Sequence, residues 1–436
     1  MFKKKIVIVG GGAGGLELAT KVGRKFGKAI ASVVLIDRNP SHLWKPLLHE
    51  VASGYLDAGI DGWSYRMHAK KNHFFYRVGT MAGIDRQNRR VVLAPLLDEE
   101  GEQVLPERHQ DYDLLIIAIG SVTNDFGTKG AAEHCIFLDH VKQALQFRYK
   151  LRNQIFKAHY AAATSAEKHT IRVAIVGAGA TGVELSAELV NTLEQMQSYG
   201  GLRLLDKDSL EISIIEAGSR ILPALPEKIA LSTQASLEKL GIRVLTNTRV
   251  SEITAESVIT SDGRSIPSDL KVWAAGIKGP DVLKNSDGLE LDQLTRLVVK
   301  PNLQTTRDDC IYVIGDAASC PLPDGSGIVP ARAQSAHQMA SHMGKHMDKI
   351  LQGKAIPDYV YSDFGSLVSL SHYATVGSLM SRPDGKGMYI QGKLAKMMYI
   401  SLYRMHQFAC FGLIRTLLIA LNDRIHRVIR PPIKLH

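Results

Sequence analysis

Short apolar runs alternate with longer stretches of mixed polarity along most of this chain. KIVIVG (5–10), SVVLID (32–37), DLLIIAIG (113–120), IRVAIVG (171–177), LEISIIEA (210–217), LKVWAAG (270–276) and CIYVIGD (310–316) are each short, β-branched and closed by Gly or an acid. Continuous apolar runs of this length predict strands buried on both faces of a parallel sheet. The segments between them predict helices, and strands alternating with helices predict a doubly wound α/β architecture. No solenoid-like period appears, but one motif occurs twice: KIVIVGGGAGGLEL near the start and VAIVGAGATGVELSAEL from residue 173.

Each copy places a G-x-G-x-x-G turn between a strand and a helix, with Gly10, Gly12 and Gly15 in the first and Gly177, Gly179 and Gly182 in the second. Such a turn needs one glycine for the tight bend, one for backbone approach to a pyrophosphate and one for helix packing. The helix start then offers unpaired amides and a positive dipole end to the phosphates. Asp37 follows Gly15 by 22 residues, close to the roughly 20 expected of a carboxylate on a ribose hydroxyl. Glu216 follows Gly182 by 34 residues, an excess attributed to an inserted loop around QSYGGLRLLDKDS. A carboxylate there favours NADH over NADPH, although Arg220, four residues on, could greet a phosphate. Two dinucleotide sites in one chain suggest two dinucleotides, and FAD with a nicotinamide is the usual pair.

Composition adds a size and a location. The 436 residues, 45% hydrophobic, suffice for two or three cores. The four cysteines Cys135, Cys310, Cys320 and Cys410 form no C-x-x-C pair, so no redox dithiol is signalled. The opening MFKKKIVIV has too few apolar residues for a signal-peptide core and reads as the first strand. The net charge of +10 is concentrated at the end: residues 382–436 hold ten Lys or Arg against two Asp, which leaves the first 381 residues at +2. A basic end implies nucleic acid or an anionic membrane surface as partner.

The motifs together resemble the two-dinucleotide flavoprotein superfamily, with an α/β fold of two Rossmann-like, glutathione-reductase-like domains and a C-terminal amphipathic membrane-attachment region. YDLLIIAIGS (112–121), VWAAGI (272–277) and DCIYVIGDAAS (309–319) match its strand exits and later FAD motif. HLWKPLLHEVASG (42–54) and PARAQSAHQMA (330–340) narrow the resemblance to the bacterial type II NADH:quinone oxidoreductases. The resemblance implies FAD held by Gly10, Gly12, Ala13, Gly14, Gly15, Asp37, Arg38, Pro46, Ala118, Gly120, Gly315 and Asp316. It implies NADH held by Gly177, Gly179, Ala180, Thr181, Gly182, Glu184, Glu216, Ala275 and Gly276. Ala333, Gln334 and Gln338 would line the quinone, although helix capping or packing would also account for the glutamines. Glu184 would lie near the nicotinamide and flavin and be catalytic; with Glu188 on the same face, it could instead serve the helix dipole.

The resemblance divides the chain into a first FAD segment (1–125), an inserted NADH-binding domain (126–274), a second FAD segment (275–345) and a membrane-association region (346–436). In that last region Phe408, Phe411, Ile414, Leu418, Leu421 and Ile425 recur every three or four positions, with Arg415 on another face. This pattern predicts one amphipathic helix, and its apolar runs fall short of the 18 to 20 residues needed to span a bilayer. Lys393, Lys396 and Arg404 among Met, Tyr and Leu suit the headgroup interface. So much apolar bulk favours membrane over nucleic acid, although burial on the domain or on a partner copy would give the same pattern. His342 and His346 lie four apart beside a Met stripe without a further ligand at metal spacing, so no metal is expected.

The expected function is non-pumping oxidation of NADH through FAD by a membrane quinone, at the cytoplasmic face of the cell inner membrane as a peripheral protein, with a homodimer as a possible assembly. A soluble NADH-dependent reductase of a ferredoxin-like acceptor and a non-catalytic FAD/NADH sensor would share both loops.

Overall fold

The structure is a computed structural model and describes residues 3–164, 170–198, 209–379 and 388–429. Six helices matter below: α1 (Ala13–Phe26), α2 (Leu48–Ser53), α3 (Ala180–Ser198), α4 (Ala333–Leu351), α5 (Lys393–Phe411) and α6 (Leu413–Ile429).

Two five-stranded parallel sheets form the body. In the first, the strand order is Ile311–Val313, Leu114–Ile117, Lys4–Val9, Ala31–Asp37, Phe75–Val78. In the second it is Ile136–Phe137, Leu270–Trp273, Ile171–Val176, Leu210–Ile215, Arg243–Leu245. In both, the strand that enters the glycine turn is central. The outer strand of the first sheet, Ile311–Val313, comes from beyond the whole of the second sheet, so the chain leaves the first unit, builds the second and returns. Every long apolar run read from the sequence is a strand here. The edge strands Phe75–Val78, Ile136–Phe137 and Arg243–Leu245 are too short to show a period.

The central strands are apolar because both faces are covered: Ile6, Ile8, Ile116 and Ile117 in the first unit and Ile175 and Ile214 in the second are sealed from solvent. Burying such side chains stabilises each unit by roughly 1.5–3 kcal/mol apiece. The C-terminal region contributes to the core. Ser366–Leu370, Ala374–Leu379 and Met388–Gln391 pair as an antiparallel sheet. Its Val368, Leu370 and Val376 join the core of the second unit.

The single amphipathic helix expected from Phe408 onward is two helices. Gly412, at φ +78°, takes a conformation that costs an L side chain strain, and the chain turns there. Phe411, assigned by pattern to the membrane, faces inward instead, edge-on to Trp63 at 4.6 Å and to His68 at 5.1 Å. Arg404 is likewise engaged inside the protein, with Gln407 Oε1 at 2.6 Å and Asp423 at 2.8 Å. Beyond Gly412 the apolar residues Leu413, Ile414, Leu417, Leu418, Leu421 and Ile425 are exposed, and so are Arg415 and, on α5, Phe408, Lys393 and Lys396. No helix among the described residues is long and apolar enough to cross a membrane.

Candidate functional site

The two glycine turns share one geometry, residue for residue. Gly10 and Gly177 have φ of +99° and +103°, and their amides donate at 2.8 Å to Ile36 and Ile215 carbonyls. A Cβ on Gly10 would meet the Ala118 carbonyl oxygen at 2.3 Å, and one on Gly177 the Ala275 amide at 2.7 Å. A Cβ on Gly15 would meet the Gly10 carbonyl oxygen at 1.8 Å, and one on Gly182 the Gly177 oxygen at 2.1 Å. These glycines serve packing of strand, turn and helix. Gly12 and Gly179 differ: a Cβ on either would meet nothing within 4 Å. The middle glycine of each turn thus borders open space at a helix start, where a pyrophosphate fits.

Each turn is tied to its acid in the same way. The Gly11 amide donates to Asp37 Oδ2 at 2.7 Å, and the Ala178 amide to Glu216 Oε2 at 2.8 Å. Glu216 Oε1 also accepts from the Gly218 amide at 2.7 Å, which leaves further lone pairs on both oxygens for ribose hydroxyls. Arg220 donates to the Leu225 and Pro223 carbonyls and so is committed to its own loop. The loop invoked for the long spacing before Glu216 falls largely on 199–208, outside the described residues.

The remaining FAD candidates gather at the same end of the first sheet. Ala118 follows the strand Leu114–Ile117, Gly120 sits at φ +70°, and Gly315 at φ +72° opens the turn that carries Asp316. Asp316 accepts from Ser121 Oγ at 2.8 Å. Gly14 lets α1 approach α4, since a Cβ there would lie 2.9 Å from the Ala336 carbonyl oxygen. Ala13 begins α1, Arg38 is exposed beside Asp37, and Pro46 lies in the short 3-10 turn Lys45–Leu47. In the second unit Ala275 and Gly276, at φ +67°, follow Leu270–Trp273, while Ala180 and Thr181 open α3.

Glu184 is buried where α3 meets α2, α5 and the antiparallel sheet. It accepts from the Ser369 amide at 3.1 Å and hydrogen-bonds Tyr399. His49 Nδ1 lies 3.7 Å away, and burial lowers that imidazole to a pKa of about 4, so it stays neutral. Burial likewise raises the Glu184 carboxyl to about 8, with Glu50 and Glu188 adding to the shift. A carboxyl held protonated by burial has little charge to offer a helix dipole. Glu188 is also buried and raised by burial, and it takes a 2.8 Å bond from Asn191.

Gln334 and Gln338 on α4 bind protein backbone. Gln338 donates to the Ser362 carbonyl at 2.7 Å and accepts the Ser362 amide at 2.9 Å. Gln334 donates to Asp363 and the Gly365 carbonyl and accepts the Phe364 amide. Together they lace the segment 362–365 to α4, of which Ala333 is the first residue. His342 spends Nε2 on the Pro357 carbonyl, and no group of three metal-ligating side chains occurs among the described residues. The four cysteines are free; burial pushes Cys135 and Cys320 up to about 12, so neither is a thiolate at neutral pH.

Sequence reading missed Glu17, His42, Tyr65 and His406, which form a buried polar chain behind the first turn, and His337, half-buried at its end. One signal was available: Glu17 follows Gly15 by two residues, as Glu184 follows Gly182.

Comparison with known proteins agrees with this geometry. The family model for pyridine nucleotide-disulphide oxidoreductases matches residues 4–340. The type II NADH:quinone oxidoreductase of Haemophilus influenzae is 44% identical over 99% of this chain and 100% of its own length. That of Staphylococcus aureus is 27% identical over 91% of this chain and 93% of its own. Among solved structures, NDH2 from Plasmodium falciparum in complex with NADH superposes with a TM-score of 0.79 at 20% identity, covering 99% of this chain and 100% of that one. Two matched nucleotide turns, an inserted second unit and full-length likeness to these relatives establish that the chain belongs to the type II NADH:quinone oxidoreductases, within the pyridine nucleotide-disulphide oxidoreductase family.

Proposed function

We propose that this protein oxidises NADH through bound FAD and reduces a membrane quinone, attached to the cytoplasmic face of the cell inner membrane without spanning it. The observation that carries the reading is the pair of matching glycine turns, each with open space at its middle glycine and its own tethered acid. The family adds the chemistry, and the absence of a paired thiol in the sequence leaves no dithiol route for the electrons.

FAD, when bound, supplies a ring that accepts hydride and returns electrons two at a time. The chain's own residues bind and orient. The starts of α1 and α3 meet the two pyrophosphates, and Asp37 and Glu216 meet ribose hydroxyls. Glu216 also disfavours a 2′-phosphate by charge, which sets NADH above NADPH. Glu184 keeps its proton at neutral pH and helps position the reacting rings; quinone reduction consumes protons, and this carboxyl holds one. Gln334 and Gln338 shape the quinone's approach by fixing 362–365. The exposed apolar face of α6, with Lys393, Lys396 and Arg415, meets the anionic membrane surface. In this reading the FAD domain comprises 1–125 and 275–345, the inserted NADH domain 126–274 and the membrane-association region 346–436.

The visible spectrum of the purified protein tests the reading. A flavin band that NADH bleaches and a membrane quinone restores is the expected result. A colourless protein that takes up no flavin, or a flavin that quinone fails to reoxidise, would overturn it.

A further inference from the structure

The two turns differ in one respect: what holds the second peptide of each. In the NADH turn the Ala178 carbonyl accepts from a backbone amide, that of Leu222, at 2.8 Å. In the first turn the equivalent Gly11 carbonyl accepts instead from two side chains, Tyr65 Oη at 2.8 Å and His42 Nδ1 at 2.9 Å. His42 Nε2 lies 3.0 Å from His406 Nε2 on α5, and His406 Nδ1 lies 2.7 Å from Glu17 Oε1 on α1. His337 Nδ1 closes the chain, 2.6 Å from Glu17 Oε2. His406 is walled by Trp44 at 4.3 Å and Trp63 at 5.5 Å.

Hydrogen-bond counting fixes the directions. A carbonyl only accepts, so His42 carries its proton on Nδ1, and a neutral His42 then accepts at Nε2 from His406. The bonds Gly11–His42, His42–His406 and His406–Glu17 need three protons, whereas two neutral imidazoles bring two. One further proton is held within the trio, so the Glu17 carboxylate is balanced and the buried group has no net charge. Burial acts to raise the Glu17 carboxyl, but its bonds to His337 and His406 outweigh that and hold it below the ordinary range; burial lowers the His406 imidazole although Glu17 acts to raise it, and the geometry of the three bonds, not either shift, fixes the proton count.

We propose that α5 is a strap for the flavin site, in which His406 is a positioning residue that, through His42, holds the Gly11 carbonyl turned into the protein. In a trans peptide the amide of the next residue points the opposite way. Pinning the Gly11 oxygen inward therefore aims the Gly12 amide outward, into the open space where the pyrophosphate of FAD binds. The inference rests on reading the first turn as the FAD site. It makes flavin retention depend on His406 of α5, whereas the Ala178 carbonyl of the NADH turn is held by the Leu222 amide and not by His406.

Two variants of the holoenzyme separate this from general loss of packing. In His406→Gln the side-chain amide reaches the position of the imidazole Nε2 and still donates to His42; in His406→Asn it reaches only the Nδ1 position, toward Glu17. FAD release, followed by the rise of flavin fluorescence on dilution, should be at least about tenfold faster in His406→Asn, the equivalent of one lost buried hydrogen bond. His406→Gln should stay near wild type, and NAD+ affinity by calorimetry should be unchanged in both. Equal release from Asn and Gln variants, or wild-type retention in His406→Asn, overturns the proposal. Should His406→Asn fail to fold, His42→Leu, which removes the last link alone, must show the same fast release; retention there also overturns it. A wild-type protein devoid of flavin would instead refute the FAD reading itself.

Discussion

A glycine whose substitution meets protein and a glycine whose substitution meets empty space should fail differently. Gly15→Ala forces a methyl to within 1.8 Å of the Gly10 carbonyl oxygen, so it should destabilise the fold by about 3 kcal/mol, read in a denaturant titration. Gly12→Val places its Cβ in open space, with no tertiary neighbour within 4 Å. It should fold with a near-normal melting temperature and emerge from purification without flavin. Glu184 is a case of charge rather than volume. Its folded pKa of about 8 lies above the ordinary carboxylate value of 4.5, so folding favours the protonated form and loses stability as pH rises between those values. Glu184→Gln removes that cost: the variant should match wild type near pH 4 and gain roughly 3 kcal/mol by pH 7, while quinone-dependent turnover falls and flavin content stays intact. A pH-independent stability difference would mean that Glu184 is ionised in the fold. Glu216→Gln, which loses only charge, should cut the preference for NADH over NADPH about tenfold, measured as a ratio of kcat/KM values.

At the scale of elements, α6 and the 362–365 segment make separable contributions. The exposed leucines and isoleucines of α6 offer on the order of 5–10 kcal/mol of apolar burial to a lipid surface, which is enough for reversible attachment of an amphipathic helix. Ending the chain at Gly412 should abolish co-sedimentation with anionic vesicles and slow turnover with a long-chain quinone, while NADH oxidation with a water-soluble quinone continues. The α4 glutamines are proposed to act at the quinone end of the reaction. Gln338→Ala removes both bonds to Ser362 and should raise the KM for quinone several-fold without changing NADH-dependent bleaching of the flavin in a stopped-flow experiment.

Across the whole molecule, the sequence determined the parts whose signal is local. Seven apolar runs became seven strands, because a strand covered on both faces must be apolar throughout. Both glycine turns, and the acids that accept from their amides, were legible, because a tight turn and a close approach each demand a residue type at a short, fixed spacing. The amphipathic face of α6 was legible for the same reason. What only the tertiary structure decided depends on contacts between residues far apart in the chain. The order of strands, with Ile311–Val313 returning to the first sheet, is set by which apolar faces find one another. The inward turn of Phe411 and the pairing of Arg404 with Asp423 follow from the bend at Gly412, which periodicity alone does not reveal. Burial converts Glu184 from an anion to an acid, and it joins Glu17, His42 and His406 into one chain across 389 positions of sequence. Protonation and hydrogen-bond direction are properties of a packed, water-excluding interior, and no single segment carries them by itself.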